Sequence, residues 1–309
     1  MSSKLEPILD RLALRDLAAV FASHAIDDSL LADLTDEDLQ KIGIKKLGHR
    51  KKLLAAFREL GTHRPPPELV STRDPVVARR EQPFINDLGL SFVPIPEHMT
   101  LFCIWQLRRR DYQIYCEETG ATFPACDFSQ APEHPVVNVT WDEAVAFCVW
   151  LTCRERNRGA ISDAFFYRLP GDREWSAAAG LLSEPWKTPA ERSGKTKGYP
   201  WGASFPPPVA AGNYHPALAV DDFRETSPVG SFPPNAAGIY DLGGNVWEWC
   251  EDEYDHNDTR KVLRGASCFN DDDEYLKTSF RDKNPPGQRR NNNGFRIVLG
   301  GVPRKETWY

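Results

Sequence analysis

A chain of 309 residues is long for one compact domain, so length alone predicts two. The hydrophobic fraction of 41% is ordinary for a water-soluble protein, and no apolar run is long enough to cross a bilayer. A net charge of −6 argues against a mainly nucleic-acid-binding role, which needs a basic surface.

The N-terminal residues lack the basic-then-apolar layout of a secretion leader. The seven cysteines show no C-x-x-C spacing, which fits reduced thiols. The expectation is a cytoplasmic protein without a membrane partner.

Residues 5–60 read as a helical bundle, with Leu9, Leu12, Leu14, Leu17, Val20 and Phe21 at helical spacing. Thr35 fits a helix N-cap, and Asp36, Glu37 and Asp38 suit the positive end of the helix dipole. In the last helix Leu53, Leu54 and Phe57 face the core. The run from Leu34 through Ile42-Gly43-Ile44 and Leu47-Gly48-His49-Arg50 to Leu53-Leu54 resembles a sterile alpha motif. That resemblance implies a five-helix bundle over residues 1–62.

Charge in this bundle is uneven. Asp33, Asp36, Glu37 and Asp38 form an acidic group, while Lys45, Lys46, His49, Arg50 and Lys51 crowd the start of the last helix. Complementary patches on different faces make a heterologous contact that propagates into rings or filaments. The chain's first expected partner is therefore itself; the alternative is two solvated faces.

Residues 63–83, with Pro65-Pro66-Pro67 and few apolar side chains, read as a semi-rigid linker. The alternative is an arm docked on the second domain through Val76 and Val77.

Residues 84–309 mix short strands, two clear helices and long loops. The first helix is expected over 109–119, ended by Gly120. The second starts at Thr140, which forms a capping box with Glu143, and carries Ala144, Phe147, Cys148 and Leu151 on one stripe. Cys148 is therefore expected to be a buried structural thiol.

The most informative stretch is Gly238-Ile239-Tyr240-Asp241-Leu242-Gly243-Gly244-Asn245-Val246-Trp247-Glu248-Trp249. With His134-Pro135-Val136, Tyr167-Arg168-Leu169-Pro170, Tyr199-Pro200-Trp201-Gly202, Val262-Leu263-Arg264-Gly265 and Gly294-Phe295-Arg296, it resembles the formylglycine-generating enzyme (sulfatase-modifying factor) family. The motifs cover nearly all of residues 92–299 in the right order. The resemblance implies an α+β chain, its sterile alpha motif followed by a C-type-lectin-like domain.

The family's oxidase chemistry needs copper held by two cysteines. Counting from Gly265-Ala266-Ser267-Cys268, those positions here are Asn270 and Tyr275, neither a thiolate. The histidines show no H-x-x-x-H spacing either. Neither copper nor iron is expected. The resemblance does imply two structural calcium sites made of oxygens, the hard ligands this ion takes. One maps onto Asn213, the Tyr214 carbonyl, Asp221 and the Phe223 carbonyl. The other maps onto Asp241, the Gly244 and Val246 carbonyls, and Glu248. The alternative is that the carboxylates only hydrogen-bond loop amides.

Residues 264–298 end in Arg290-Asn291-Asn292-Asn293-Gly294-Phe295-Arg296, similar to the variable region of diversity-generating retroelement targets. In that register the exposed ligand-binding positions are Phe269, Asn270, Asp271, Tyr275, Phe280, Asp282, Asn284, Arg290, Asn291 and Asn292. The alternative is an ordinary polar loop cluster that is not diversified. Together these residues predict a non-enzymatic recognition protein binding a protein ligand, oligomerised through its N-terminal domain. The alternatives are an atypical metal-dependent oxidase and a purely structural scaffold.

Overall fold

Leucines three and four residues apart give the N-terminal helices one buried stripe. The computed structural model describes residues 5–12, 14–24, 26, 31, 34–61 and 72–301, and divides the chain into the units Met1–Glu68 and Leu69–Tyr309. In the first unit the helices are α1 (Leu5–Arg11), α2 (Ala18–Ser23), α3 (Asp36–Lys41) and α4 (Leu47–Gly61). Their core gathers Leu9, Leu14, Phe21, Leu39, Leu53 and Phe57, with Phe21 set edge-on to Phe57. Thr35 caps α3 as expected, in a capping box with Asp38. Gly43, at φ 98°, turns the chain out of α3 in a conformation that side chains rarely adopt.

The charge layout of this unit departs from the sequence expectation. Arg50, placed on an open basic patch by its neighbours, is only 7% exposed. Its Nε donates to Asp36 at 2.8 Å, and its Nη1 donates to the carbonyls of Ile44 and Lys45. Those carbonyls lie in the α3–α4 turn, and Arg50 reaches back from α4 to satisfy them. Asp36 and Arg50 thus pair within one chain. Asp38 is engaged by Thr35. Lys45, Lys46 and Lys51 stay exposed and His49 is half-exposed. Asp33 and the Glu37 side chain lie outside the described residues.

The second unit begins earlier than composition suggests. Asp74 caps a single 3-10 turn over Pro75–Val77, with proline at the position where a missing N–H costs nothing. Thr72 bridges Phe84, Ala78 is fully buried, and Val76 packs on the main core. Residues 72–83 are therefore part of this domain and not linker; 63–71 lie outside the described residues.

Two sheets organise the unit. The first has the order β1 (Phe84–Ile85), β2 (Ser91–Pro94), β3 (Leu101–Cys103), β9 (Val298–Gly300) and β4 (Phe166–Arg168), all antiparallel. The second has the order β7 (Asp282–Asn284), β6 (Asp258–Arg264), β5 (Trp247–Asp255) and β8 (Asn293–Phe295), with β5 and β8 parallel. Helix α5 (Arg109–Thr119) ends at Gly120 in the left-handed region, as expected. Helix α6 (Trp141–Asn157) starts from the Thr140–Glu143 capping box and buries Ala144, Phe147, Cys148 and Leu151. Phe147 stacks on Tyr112 and meets Phe295, joining both helices to the second sheet.

Beside this core lies a buried ion cluster. Asp172, at the start of α7 (Asp172–Ala178), accepts hydrogen bonds from Arg192, Arg264 and Arg281, and Arg281 also grips Glu184. Arg192 belongs to the short helix α8 (Pro189–Arg192). One carboxylate thereby fixes α7, α8, the end of β6 and the entry to β7.

Candidate functional site: the lectin-like loops

The loop entering β5 explains its own sequence. A Cβ on Gly244 would lie 2.2 Å from the Asn213 carbonyl, and one on Gly243 would meet Pro200 and the Tyr214 hydroxyl. Two glycines let these strands of loop touch. Asn245 then staples three segments: its N–H donates to the Asn213 carbonyl, its side chain bonds both backbone groups of Ser227, and its carbonyl accepts from Cys268. Trp249 donates to the Val139 carbonyl, tying β5 to the start of α6.

Around this staple lie the candidate calcium ligands. At the first set, Asp221 accepts from the N–H of Tyr214 at 3.0 Å and of Phe223 at 2.8 Å. Asn213 gives its amide N–H to the Glu225 carbonyl, leaving its Oδ1 buried without a hydrogen-bond partner. A buried oxygen without a donor is what a cation would satisfy, so these residues fit calcium. At the second set, Glu248 is wholly buried. It accepts from Arg296 at 2.7 and 3.0 Å and from the Trp175 indole at 2.9 Å. Asp241 accepts from the Gly230 N–H at 2.7 Å. Burial raises the carboxyls of Asp221 and Asp241, the latter to about 6. The Gln106 amide nitrogen also points at this second set, 3.1 Å from Glu248 Oε1.

The candidate ligand-binding residues separate into exposed and structural ones. Phe269 is 39% exposed, edge-on to Phe128, and Tyr275 is 42% exposed, edge-on to Phe280. Asp271 is exposed beside His215, and Arg290 is exposed. Asn291 bonds Asp127, and Asn292 donates to the Ser267 hydroxyl. Asp282 and Phe280 are half-buried, and Phe280 packs towards Trp247. Asn284, expected to be exposed, is only 3% so. It pairs with Lys261 across β6 and β7 and turns its side chain into the domain.

The two positions that would supply copper thiolates carry an amide and a phenol. The Asn270 oxygen accepts from the N–H and the hydroxyl of Ser267, capping the turn. Tyr275, on the short helix α9 (Asp273–Leu276), presents a ring to the surface. Cys268, two residues from Asn270, is fully buried, and burial pushes its thiol up to about 12.

Sequence reasoning missed part of this face. Tyr199 stacks on Trp201 at 4.8 Å, approaches Phe205, and bonds Asp273 of α9. The Tyr199-Pro200-Trp201-Gly202 motif thus forms an aromatic wall joined to the short helix that carries Tyr275. Its signal was the aromatic density from Tyr199 to Phe205.

Short strands, two long helices with three short ones, and long loops held by buried glycine, asparagine and glutamate define a C-type-lectin-like domain that follows a sterile alpha motif in the chain. The family model for the sulfatase-modifying factor enzyme 1-like domain matches residues 75–300, and that for the sterile alpha motif matches 8–61. The chain belongs to the sulfatase-modifying factor family. It is 36% identical over 188 residues to inactive C-alpha-formylglycine-generating enzyme 2 of Bos taurus, covering 57% of this chain and 54% of that one. It is 30% identical over 193 residues to the formylglycine-generating enzyme of Streptomyces coelicolor, covering 56% and 54%. The chain spans about half the length of the curated relatives it matches. Among solved structures it is similar to PvdO from Pseudomonas aeruginosa, at 22% identity and TM-score 0.48, covering 65% of this chain and 80% of that one. It is also similar to Treponema denticola variable protein 1, at 22% identity and TM-score 0.45, covering 64% and 84%.

Proposed function

We propose that this chain is a non-enzymatic recognition protein of the cytoplasm, gathered into oligomers by its sterile alpha motif and binding a protein ligand through the face around Phe269 and Tyr275. One observation carries the reading. The two positions that would supply thiolates instead supply a turn-capping amide and an exposed aromatic ring. Without a thiolate pair, Cu(I) lacks its soft ligands. Aromatic side chains, in contrast, give large contact area at low entropic cost, which suits a binding surface. The bovine relative described as inactive supports the same direction.

Variation at Phe269, Asp271, Tyr275 and Arg290 would leave the framework intact, which supports a diversified surface. Lys45, Lys46 and Lys51 remain open for a neighbouring chain, and repeating a weak site along an oligomer raises avidity without new contacts. Calcium at Asn213 and Asp221 would act as a structural clamp on the loops behind this face.

The test is turnover. Copper-loaded protein incubated with a cysteine-containing peptide should give no aldehyde by mass spectrometry. Copper-dependent conversion would overturn the reading.

A further inference from the structure

The side-chain amide of Gln106 stands where four oxygens converge. Its Nε2 lies 3.2 Å from the Asp241 carbonyl, 3.5 Å from that of Gly244, 3.2 Å from that of Val246 and 3.1 Å from Glu248 Oε1. The last three oxygens belong to the set that would hold the family's second calcium ion. An amide nitrogen offers two N–H groups, so these acceptors outnumber the donors they face. The other end of the same amide, Oε1, is buried without a hydrogen-bond partner. Turned over, it would set a fifth oxygen against these four. The nitrogen-inward orientation is therefore the one these four acceptors favour.

We propose that Gln106 takes the place of the second calcium ion, its N–H groups gathering the loop carbonyls that a cation would otherwise gather. The charge balance agrees. Arg296 contacts both oxygens of Glu248, and Trp175 donates to one of them, so this carboxylate is already neutralised and hydrogen-bonded. Calcium takes six to eight oxygens at about 2.3–2.6 Å, and the amide nitrogen holds the centre of the space such a shell would need. Nor can the side chain swing away easily. Gln106 is wholly buried, and the next residue, Leu107, is fixed by its N–H to the Phe295 carbonyl at 2.9 Å. The two candidate sites therefore differ: the first keeps an oxygen waiting for a cation, and the second is closed from within.

The experiment counts calcium by equilibrium dialysis of the full chain. At most one ion per chain is expected, and none after Asp221→Ala. A wild type that binds none supports the closure of the second site while refuting calcium at the first, so the two ideas fail separately. Gln106→Glu replaces the amide with a carboxylate that needs a cation. It should take up one additional ion and melt at a higher temperature in calcium than in chelator, even with Asp221→Ala present. Two ions bound by the wild type, or one retained by Asp221→Ala, would overturn the proposal. So would a folded Gln106→Glu protein that gains no ion. If that variant does not fold, the counts on the wild type and Asp221→Ala decide alone.

Discussion

Replacing Asp172 by asparagine should cost the second domain more stability than any single surface change. The carboxylate is fully buried and receives guanidinium hydrogen bonds at 2.7 and 3.0 Å from Arg192 and at 3.0 and 3.1 Å from Arg281, besides its contact with Arg264. Removing its charge leaves three arginines facing one another, with Glu184 on Arg281 as the remaining partner within this cluster. Breaking a buried ion pair on one side costs about 3–5 kcal/mol. At about 2–4 °C per kcal/mol for a domain of this size, the melting temperature should fall by roughly 6–20 °C. Residues 1–68 contain no tryptophan, so tryptophan fluorescence of the full chain reads the second unit alone. A fall of less than about 2 °C would refute the reasoning, because it would mean that the arginines find water or other partners at little cost. The pH dependence has a definite sign. Burial alone would raise this carboxyl, but the charges of Arg264, Arg281 and Arg192 and their hydrogen bonds hold it well below the usual range. Its contribution is therefore fully present above the unfolded pKa of about 4 and is lost as pH falls through the depressed folded value. Asp172→Asn should flatten that part of the acid limb.

Two further substitutions separate structural from surface roles. Arg50→Glu should unfold the N-terminal unit, read by far-ultraviolet circular dichroism, because it removes the Asp36 pair and two carbonyl bonds at once. Lys51→Glu, on an exposed residue, should leave the fold intact and weaken self-association in low-salt sedimentation; equal unfolding by both would refute the distinction. Phe269→Ala and Tyr275→Ala should leave the melting temperature nearly unchanged. Phe280→Ala should lower it by a few degrees, on the order of 1–2 kcal/mol, because its ring is half-buried against Trp247.

Much of the architecture was legible because it follows from local chemistry. The caps at Thr35 and Thr140, the stop at Gly120 and the buried stripe through Cys148 each depend on residues within a few positions of one another. What escaped depends on distant segments meeting. Arg50 looks like one more member of a basic run until α3 brings Asp36 against it. Residues 72–83 have the composition of a linker, yet Asp74 caps a turn that delivers Ala78 to the core. Asn284 sits among polar neighbours, and only its pairing with Lys261 turns it inward. Gln106 carried no signal at all: its role exists only where residues 106 and 241–248 converge.

The place of β9 in the first sheet has a consequence for synthesis. Leu299 pairs with Leu101 on one side and Tyr167 on the other, so the last described strand is wedged between two much earlier ones. Neither β3 nor β4 can find this neighbour until nearly the whole domain has been translated. Until then both would present open strand edges, the surfaces on which unfinished chains adhere to one another. Such long-range closure is slow by nature. A nonsense codon between residues 103 and 298 should therefore yield a product that chaperones hold or proteases remove, and never a working fragment of the loop face.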